Sequence, residues 1–202
     1  MSPIRLTPML ALVCAGSLVA AEGAPEPSSD RSLYDVLGGA SWSERRGEII
    51  VGWSDLDVDG VDGDQGAWYL SVAASALSGY RTGKSKPFGG ILGLGASVKT
   101  WMGNGDTDIF AIAPFAHAIA GGFADFSERT RLSLTGRAGP GLGWVTVDGD
   151  SDLGFAWNWA IEGTLAVTKG ESAGVGVGLG YESVTLNDFT QEGPYILLTV
   201  GF

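Results

Sequence analysis

Residues 153–168, LGFAWNWAIEGTLAVT, have the most regular pattern in the chain. Large apolar side chains recur at nearly every second position, and small or polar residues fill the positions between them. The apolar set is Leu153, Phe155, Trp157, Trp159, Ile161, Leu165 and Val167, and the other set is Gly154, Ala156, Asn158, Ala160, Glu162, Thr164 and Thr168. Because successive side chains of a β-strand point to opposite faces, this period of two predicts a strand with one apolar and one polar face.

The same period recurs along most of the chain, between clusters of turn residues. The other runs lie at 48–55, 67–79, 88–101, 108–121, 131–144, 174–182 and 195–202, of which 48–55 is the least regular. A tilted membrane strand needs about 9–11 residues. The sequence therefore predicts an all-β fold, a closed antiparallel up-and-down transmembrane β-barrel of about eight strands.

The composition of the two strand faces predicts which of them is outside. One face is largely Leu, Val, Ile, Phe and Trp, whereas the other is Gly, Ala, Ser and Thr with isolated charges. A soluble eight-stranded barrel would carry many Lys and Glu on its exterior. Only 17% of this chain is charged, whereas about a quarter of a typical soluble protein is. We therefore expect apolar side chains to face lipid and polar side chains to face a lumen.

The first residues have the pattern of a secretory signal. Arg5 gives a basic start, Met9 to Val19 is apolar, and small residues precede a cleavage point after Ala21. The apolar stretch is too short to cross a bilayer as a helix. The sequence thus predicts a signal peptide at 1–21, a periplasmic tail at 22–46 and the barrel at 47–202.

Charge and cysteine content exclude several kinds of partner. The formal net charge is -11, and loss of the signal peptide removes one positive charge, Arg5. Such acidity disfavours nucleic acid as a partner. The only cysteine, Cys14, lies in the signal peptide, so the mature chain should have no disulfide and no cysteine metal site. We expect no cofactor.

Acidic residues collect in alternate connections of the predicted barrel. The connections 55–66, 103–108, 148–152 and 187–193 contain no Lys or Arg. With the N-terminus in the periplasm, these connections lie outside the cell. Two aromatic girdles at the membrane interfaces are also expected, from Trp68, Trp101, Trp144 and Phe155 at one end and Tyr80, Phe88, Phe123 and Phe202 at the other.

With this pattern over residues 47–202, the chain resembles the small eight-stranded bacterial outer-membrane barrels, the class of the outer-membrane protein A transmembrane domain. Its last strand, with Leu198, Val200 and Phe202 in phase, resembles their C-terminal signature. The resemblance implies an outer-membrane location in a Gram-negative-type bacterium. It also implies assembly by the barrel assembly machinery and contact with outer-membrane lipid and lipopolysaccharide. We expect a monomer.

The polar strand faces predict a lumenal network of buried charges, which must find partners. Its members are Arg137, Glu162, Glu182, His117, Asn158, Lys99 and Arg131. Hairpin counting puts Arg137 near Glu162, Asn158 opposite Glu182 and His117 near Thr135, with Lys99 higher and Arg131 lower. The network would fill the lumen as a plug, since eight strands enclose little more than side chains. The alternative is a narrow pore, favoured by the small residues from Gly174 to Gly180.

Residues Asp55, Asp57, Asp59 and Gly60 match the opening of a calcium-binding loop, but Gly66 stands where the bidentate Glu should be. The pattern leaves two interpretations open, a solvated acidic loop or a weak divalent-cation site that bridges to lipopolysaccharide phosphates.

Enzyme motifs are incomplete. Residues 170–174 match G-x-S-x-G, but the nucleophile elbow needs a helix after the serine, and a strand is predicted there. No neighbouring Ser or Asn accompanies His117 in the sequence. We therefore expect a non-enzymatic outer-membrane barrel with a role in envelope integrity or at the surface. The alternatives are a low-conductance pore for small solutes and a lipid A-modifying enzyme.

Overall fold

A computed structural model describes residues 42–58, 65–81, 87–103, 108–169, 172–186 and 189–201. These residues form eight antiparallel strands in a closed barrel, in which each strand pairs with the next and the last pairs with the first. The strands are β1 (Trp42–Val58), β2 (Gln65–Arg81), β3 (Phe88–Gly103), β4 (Ile109–Ser127), β5 (Thr130–Val147), β6 (Asp150–Lys169), β7 (Ser172–Leu186) and β8 (Phe189–Gly201). The predicted fold class is confirmed. Over the same ranges, no helix is long and apolar enough to cross a membrane.

Side chains alternate between the two surfaces of the barrel wall as predicted. On β6, Leu153 is 72% exposed on the outside, whereas Asn158 is fully buried inside. The faces predicted for β2, β3, β5, β7 and β8 are also correct. On β4, where the sequence is apolar on both faces, Phe115 and His117 point inward and Ala116 points outward. The apolar exterior and charged interior are the arrangement of a membrane-spanning barrel.

The first strand starts earlier than predicted. It begins at Trp42, so residues 42–46, which were assigned to the periplasmic tail, belong to the barrel and pair with β2. Its inward side chains at this end include Glu44 and Arg46, and its outward ones include Ser43 and Arg45. Because both faces are polar here, the hydrophobic period of two disappears although the strand continues.

The strands also run further into the acidic connections than the sequence indicates. They are 13 to 20 residues long, so much of the predicted acidic connections is strand. The connection between β5 and β6 is a two-residue turn, with φ of 49° at Asp148 and 95° at Gly149. Positive φ at both central residues is the mark of a type I′ hairpin turn.

Two members of the predicted aromatic girdles face the interior instead. Trp101 and Phe123 are buried within the barrel. Trp101 lies two residues from Lys99 and therefore shares its inward face. Trp68, Trp144, Phe155 and Phe88 are outside as expected, and Phe202 lies outside the described residues.

Candidate functional site in the barrel interior

The centre of the interior is an ionic layer built around Arg137 of β5. Arg137 Nη1 lies 3.0 Å from Glu48 Oε2 and 3.6 Å from Glu162 Oε2. Its Nη2 lies 3.9 Å from Glu182 Oε2. All four side chains are buried. Hairpin counting placed Arg137 near Glu162, and the two are neighbours, but it did not find Glu48.

Polar side chains from the surrounding wall complete this central layer. Lys99 donates to Glu182 and so lies within the layer rather than above it. Tyr195 Oη donates to Glu162 Oε2 at 2.9 Å. Asn158 Nδ2 lies 3.5 Å from Glu182 Oε2, although the residue directly opposite Asn158 is Val184. The layer therefore draws side chains from six of the eight strands, and it ties together parts of the wall that are distant in sequence.

His117 has a different neighbour from the one predicted. Its Nε2 lies 2.8 Å from Ser97 Oγ on β3, and its ring stacks on Phe115. Thr135, the expected neighbour, pairs instead with Gly121, because the β4–β5 register is set by a short turn and an irregularity between Asp125 and Ser127.

The Ser97–His117 pair has the first contact of a catalytic triad but lacks the rest. In a triad, a carboxylate holds the other histidine nitrogen. Here Nδ1 of His117 has no hydrogen-bond partner, and the pair is buried. The described residues thus give the pair neither an orienting acid nor an open substrate site.

A second ionic layer closes the end at which the chain enters the barrel. Arg131 Nε lies 2.8 Å from Asp125 Oδ1, and its guanidinium stacks 4.1 Å from the centre of the Trp42 ring. Arg46 Nη2 lies 2.8 Å from Glu44 Oε1. Apolar side chains pack around these charges, namely Leu77, Ile91, Ile119 and Phe123. Arg131 is in the lower position expected for it, but Trp42, Glu44 and Arg46 were missed because they were assigned to the tail.

The opposite end of the lumen is apolar, a feature that the alternating sequence pattern does not indicate. Its buried side chains include Leu56, Trp101, Ile109, Val184, Leu186 and Phe189. The Trp101 and Phe189 rings meet edge to face with centroids 5.8 Å apart. Trp101 Nε1 donates to Gln191 Oε1 at 3.0 Å. The side-chain-filled polar lumen expected from the sequence therefore does not extend to this upper layer.

Some glycines of the wall make room for aromatic rings. A Cβ added to Gly180 would lie 2.2 Å from the Tyr195 ring, and one added to Gly52 would lie 2.2 Å from the Tyr69 ring. In both pairs, the glycine and the aromatic residue are direct partners on adjacent strands. Within the glycine-rich run of β7, Gly180 therefore faces the Tyr195 ring rather than open space.

Two of the three proposed metal ligands lie in a strand rather than in a loop. Asp55 and Asp57 belong to β1 and are exposed on its outer face, and Asp59 lies outside the described residues. An extended strand cannot wrap around a cation as such a loop does. Asp55 lies opposite Glu192 on β8. Within the described ranges, no group of three or more His, Cys, Asp or Glu side chains could hold a metal.

The remaining sequence motifs lie in strands. Ser172, the serine of the G-x-S-x-G match, begins β7, so no helix follows it. Leu198 and Val200 of the C-terminal signature face outward, and Phe202 lies outside the described residues.

Comparison with known proteins gives a likeness of fold. No known family model matches the chain, and neither does any curated protein. The chain is similar to the solved structure of Neisserial surface protein A (NspA), with 14% identity and a TM-score of 0.50 over 81% of this chain and 99% of that one. It is also similar to Ail, the attachment invasion locus protein of Yersinia pestis, with 17% identity and a TM-score of 0.39 over 78% and 98%. The chain thus has the fold of the small eight-stranded outer-membrane barrels, as its sequence pattern predicts.

Proposed function

We propose that the protein is a non-enzymatic outer-membrane barrel with a closed interior and a role in envelope integrity or at the cell surface. The observation that carries this proposal is the three-layer filling of the lumen. The barrel contains three successive layers along its length: an apolar layer, an ionic layer, and a second ionic layer in which Arg131 stacks on Trp42. A solute would have to displace buried charges and aromatic rings to pass.

The outer wall of the barrel is suited to contact with lipid. Many of its large apolar side chains are more than half exposed, including Leu134 at 62%, Leu179 at 68% and Ile196 at 60%. Water would have to solvate this continuous surface, whereas acyl chains contact it without that cost. Export by the signal peptide and insertion by the barrel assembly machinery fit this location.

Lipopolysaccharide is the proposed neighbour at the extracellular end. Asp55 and Glu192 are exposed there on the outer surface, and Tyr181 Oη donates to Glu192 Oε2 at 3.3 Å. Divalent cations could bridge these carboxylates to lipopolysaccharide phosphates, because hard cations accept oxygen ligands from both. This contact would anchor the barrel in the outer leaflet. We expect the barrel to be a monomer.

Planar-bilayer conductance tests the closed interior. We expect no conductance steps from the purified wild-type protein, because all three layers remain in place. The variant Trp101→Ala opens only the upper layer, so it should also stay silent. Regular single-channel steps from the wild-type protein would refute the closed barrel and favour the small-solute pore.

Two measurements in cells test the role. Deletion of the gene should increase sensitivity to detergents and large antibiotics, and the wild-type gene should restore resistance. By mass spectrometry, lipid A from an overexpressing strain should have the same acylation as lipid A from the parent strain. A change in its acylation that disappears in the Ser97→Ala or His117→Ala variant would favour the enzyme alternative instead.

A further inference from the structure

The strand ends are uneven at the end of the barrel that carries the acidic connections. β6 begins at Asp150, but its pairing with β7 begins only at Ala156, which lies opposite Leu186. The other ladders at this end stop within two residues of the strand ends. Among the described residues, 150–155 thus have β5 on one side and no strand on the other. We call this free side the β6 edge, which at about 3.3 Å per residue is roughly 20 Å long.

The direction of the backbone groups along the β6 edge follows from the turn before it. Val147 and Asp150 close a two-residue turn, and they are therefore a hydrogen-bonded pair. Hydrogen-bonded pairs recur at every second residue of an antiparallel ladder. The even-numbered residues of the edge therefore bond to β5. The odd-numbered residues Ser151 and Leu153 direct their backbone N–H and C=O groups to the free side.

One of these groups has a partner within its own strand. The Leu153 N–H donates to Asp152 Oδ1 at 2.8 Å. In the part of the chain that the structure describes, no strand pairs with the remaining groups, which are the N–H and C=O of Ser151 and the C=O of Leu153. Unpaired groups in a row at a strand edge are a template for an extended chain, which joins the sheet through main-chain hydrogen bonds.

The side chains of the β6 edge determine which chains it would accept. Asp150 and Asp152 are exposed on one face, and Asp148 is exposed in the adjoining turn. No Lys or Arg lies within ten residues of Asp148. Because opposite charges on neighbouring strands attract, this face favours a strand with basic side chains. On the other face, Leu153 and Phe155 are exposed and favour apolar side chains beside them.

A second copy of the chain is a poor partner for this edge. Pairing two β6 edges would place Asp150 and Asp152 of one copy beside those of the other, and like charges on neighbouring strands destabilise a sheet. Charged side chains on free edges commonly prevent such self-pairing. The carboxylates that exclude a second copy therefore leave the edge open to a basic strand.

We propose that the β6 edge binds an extended segment of another protein as an added β-strand, and that basic residues alternate with apolar ones in this segment. Main-chain hydrogen bonds to Ser151 and Leu153 provide affinity, and Asp150 and Asp152 select the basic sequence. The inference rests on the proposed role at the cell surface, for which it names the class of partner.

Binding of synthetic peptides to the refolded wild-type protein tests the proposal. The probe is a fluorescent hexapeptide that alternates lysine with valine, and its control carries glutamate in place of lysine. Two further probes are N-methylated, one on all lysines and the other on all valines. An added strand turns only alternate N–H groups toward β6, so one methylation pattern should abolish binding and the other should preserve it. Fluorescence anisotropy in phosphatidylcholine vesicles measures each affinity.

Variants of the edge provide a matching test on the protein. Ser151→Pro removes an N–H from the free side and none from the β5 ladder, and it should weaken binding of the lysine probe about fivefold, the effect of one hydrogen bond. Ser151→Ala is the control, because it removes the same hydroxyl group but keeps the N–H. The double variant Asp150→Asn with Asp152→Asn should weaken binding and reduce its dependence on salt. The methylated probes keep the test decisive should Ser151→Pro fail to fold.

Three results would overturn the proposal. An equal effect of the two methylation patterns would exclude main-chain pairing, and equal binding of the lysine and glutamate probes would exclude selection by charge. Self-association of the wild-type protein that Ser151→Pro abolishes would show that a second copy covers the edge. Absence of binding by every probe would refute the added strand alone, because conductance and gene deletion test the closed barrel and its role separately.

Discussion

The central and upper layers of the lumen are stabilised by different interactions. In the central layer, Arg137 lies among three carboxylates, and each charge depends on its partners. In the upper layer, Leu186, Phe189 and their neighbours meet mainly through apolar contacts, and the layer contains no ion pair among the described residues. Removing one partner from an ionic layer should destabilise the whole layer, because a buried charge is left unpaired. An apolar layer should weaken in proportion to the volume removed.

The largest effect is expected from Arg137→Ala, which leaves Glu48, Glu162 and Glu182 without their central cation. Breaking a buried ionic cluster in this way typically costs about 3–5 kcal/mol. We expect the free energy of unfolding to fall by that amount, measured by urea titration of the protein in vesicles with tryptophan fluorescence as the signal.

A matched control and a paired variant sharpen this result. Arg129→Ala removes a charge from the exposed β4–β5 turn and should leave the urea midpoint unchanged. The double variant Lys99→Met with Glu182→Leu removes both members of one pair and should destabilise less than Lys99→Met alone. An Arg137→Ala protein with the wild-type midpoint would show that the central layer does not stabilise the barrel.

In the upper layer, Leu186→Ala should cost about 3 kcal/mol, within the range for buried leucine in a packed core. The milder Ile109→Val should cost about 1 kcal/mol, because only one methylene group is lost. The same urea titration measures both. Equal losses from the two variants would contradict graded packing and would make the upper layer resemble the central one.

The wall itself is tested by Gly180→Ala, which forces a Cβ against the Tyr195 ring. Overpacking of this kind costs about 1–3 kcal/mol. Gly163→Ala is the matched control on the neighbouring strand, because no atom lies within 4 Å of its added Cβ. If both substitutions shift the urea midpoint equally, backbone flexibility rather than contact with the ring explains why glycine occupies these positions.

The smallest effect is expected from Ser97→Ala, which removes the hydrogen-bond partner of His117 Nε2. A single neutral hydrogen bond contributes about 1 kcal/mol. Ser71→Ala is the control, since the Ser71 hydroxyl is buried on the adjacent strand without a hydrogen-bond partner. A loss from Ser71→Ala as large as that from Ser97→Ala would mean that the Ser97–His117 contact contributes nothing of its own.

The sequence predicted the wall well because each lipid-facing strand must repeat large apolar residues at every second position. It predicted the limits of the wall less well. Where β1 is polar on both faces, from Ser43 to Arg46, the alternation carries no signal, and the strand was taken for a tail. On β4, apolar residues on both faces reflect the apolar upper layer, in which Ile109, Ala111 and Ala113 face inward.

Contacts across the lumen were harder to predict than contacts along hairpins. The neighbours Arg137 and Glu162 lie on adjacent strands, so counting back from a turn brings them together. Glu48 and Arg137 lie on strands that are not adjacent and meet only through the interior. Their contact depends on strand tilt and stagger around the whole barrel, which no single turn encodes. Hairpin counting also fails where the turn is misplaced, because Thr135 pairs with Gly121, four residues from His117.

The contact between Glu48 and Arg137 has a consequence for assembly. Glu48 belongs to the first strand to emerge, and Arg137 belongs to the fifth, so the two meet only when the sheet has curled into a complete ring. We therefore expect this ion pair to form late in folding. Contacts that form late mainly govern the unfolding rate, so loss of the Glu48–Arg137 pair should speed extraction from the membrane far more than it slows insertion. Stopped-flow rates in both directions would measure the difference.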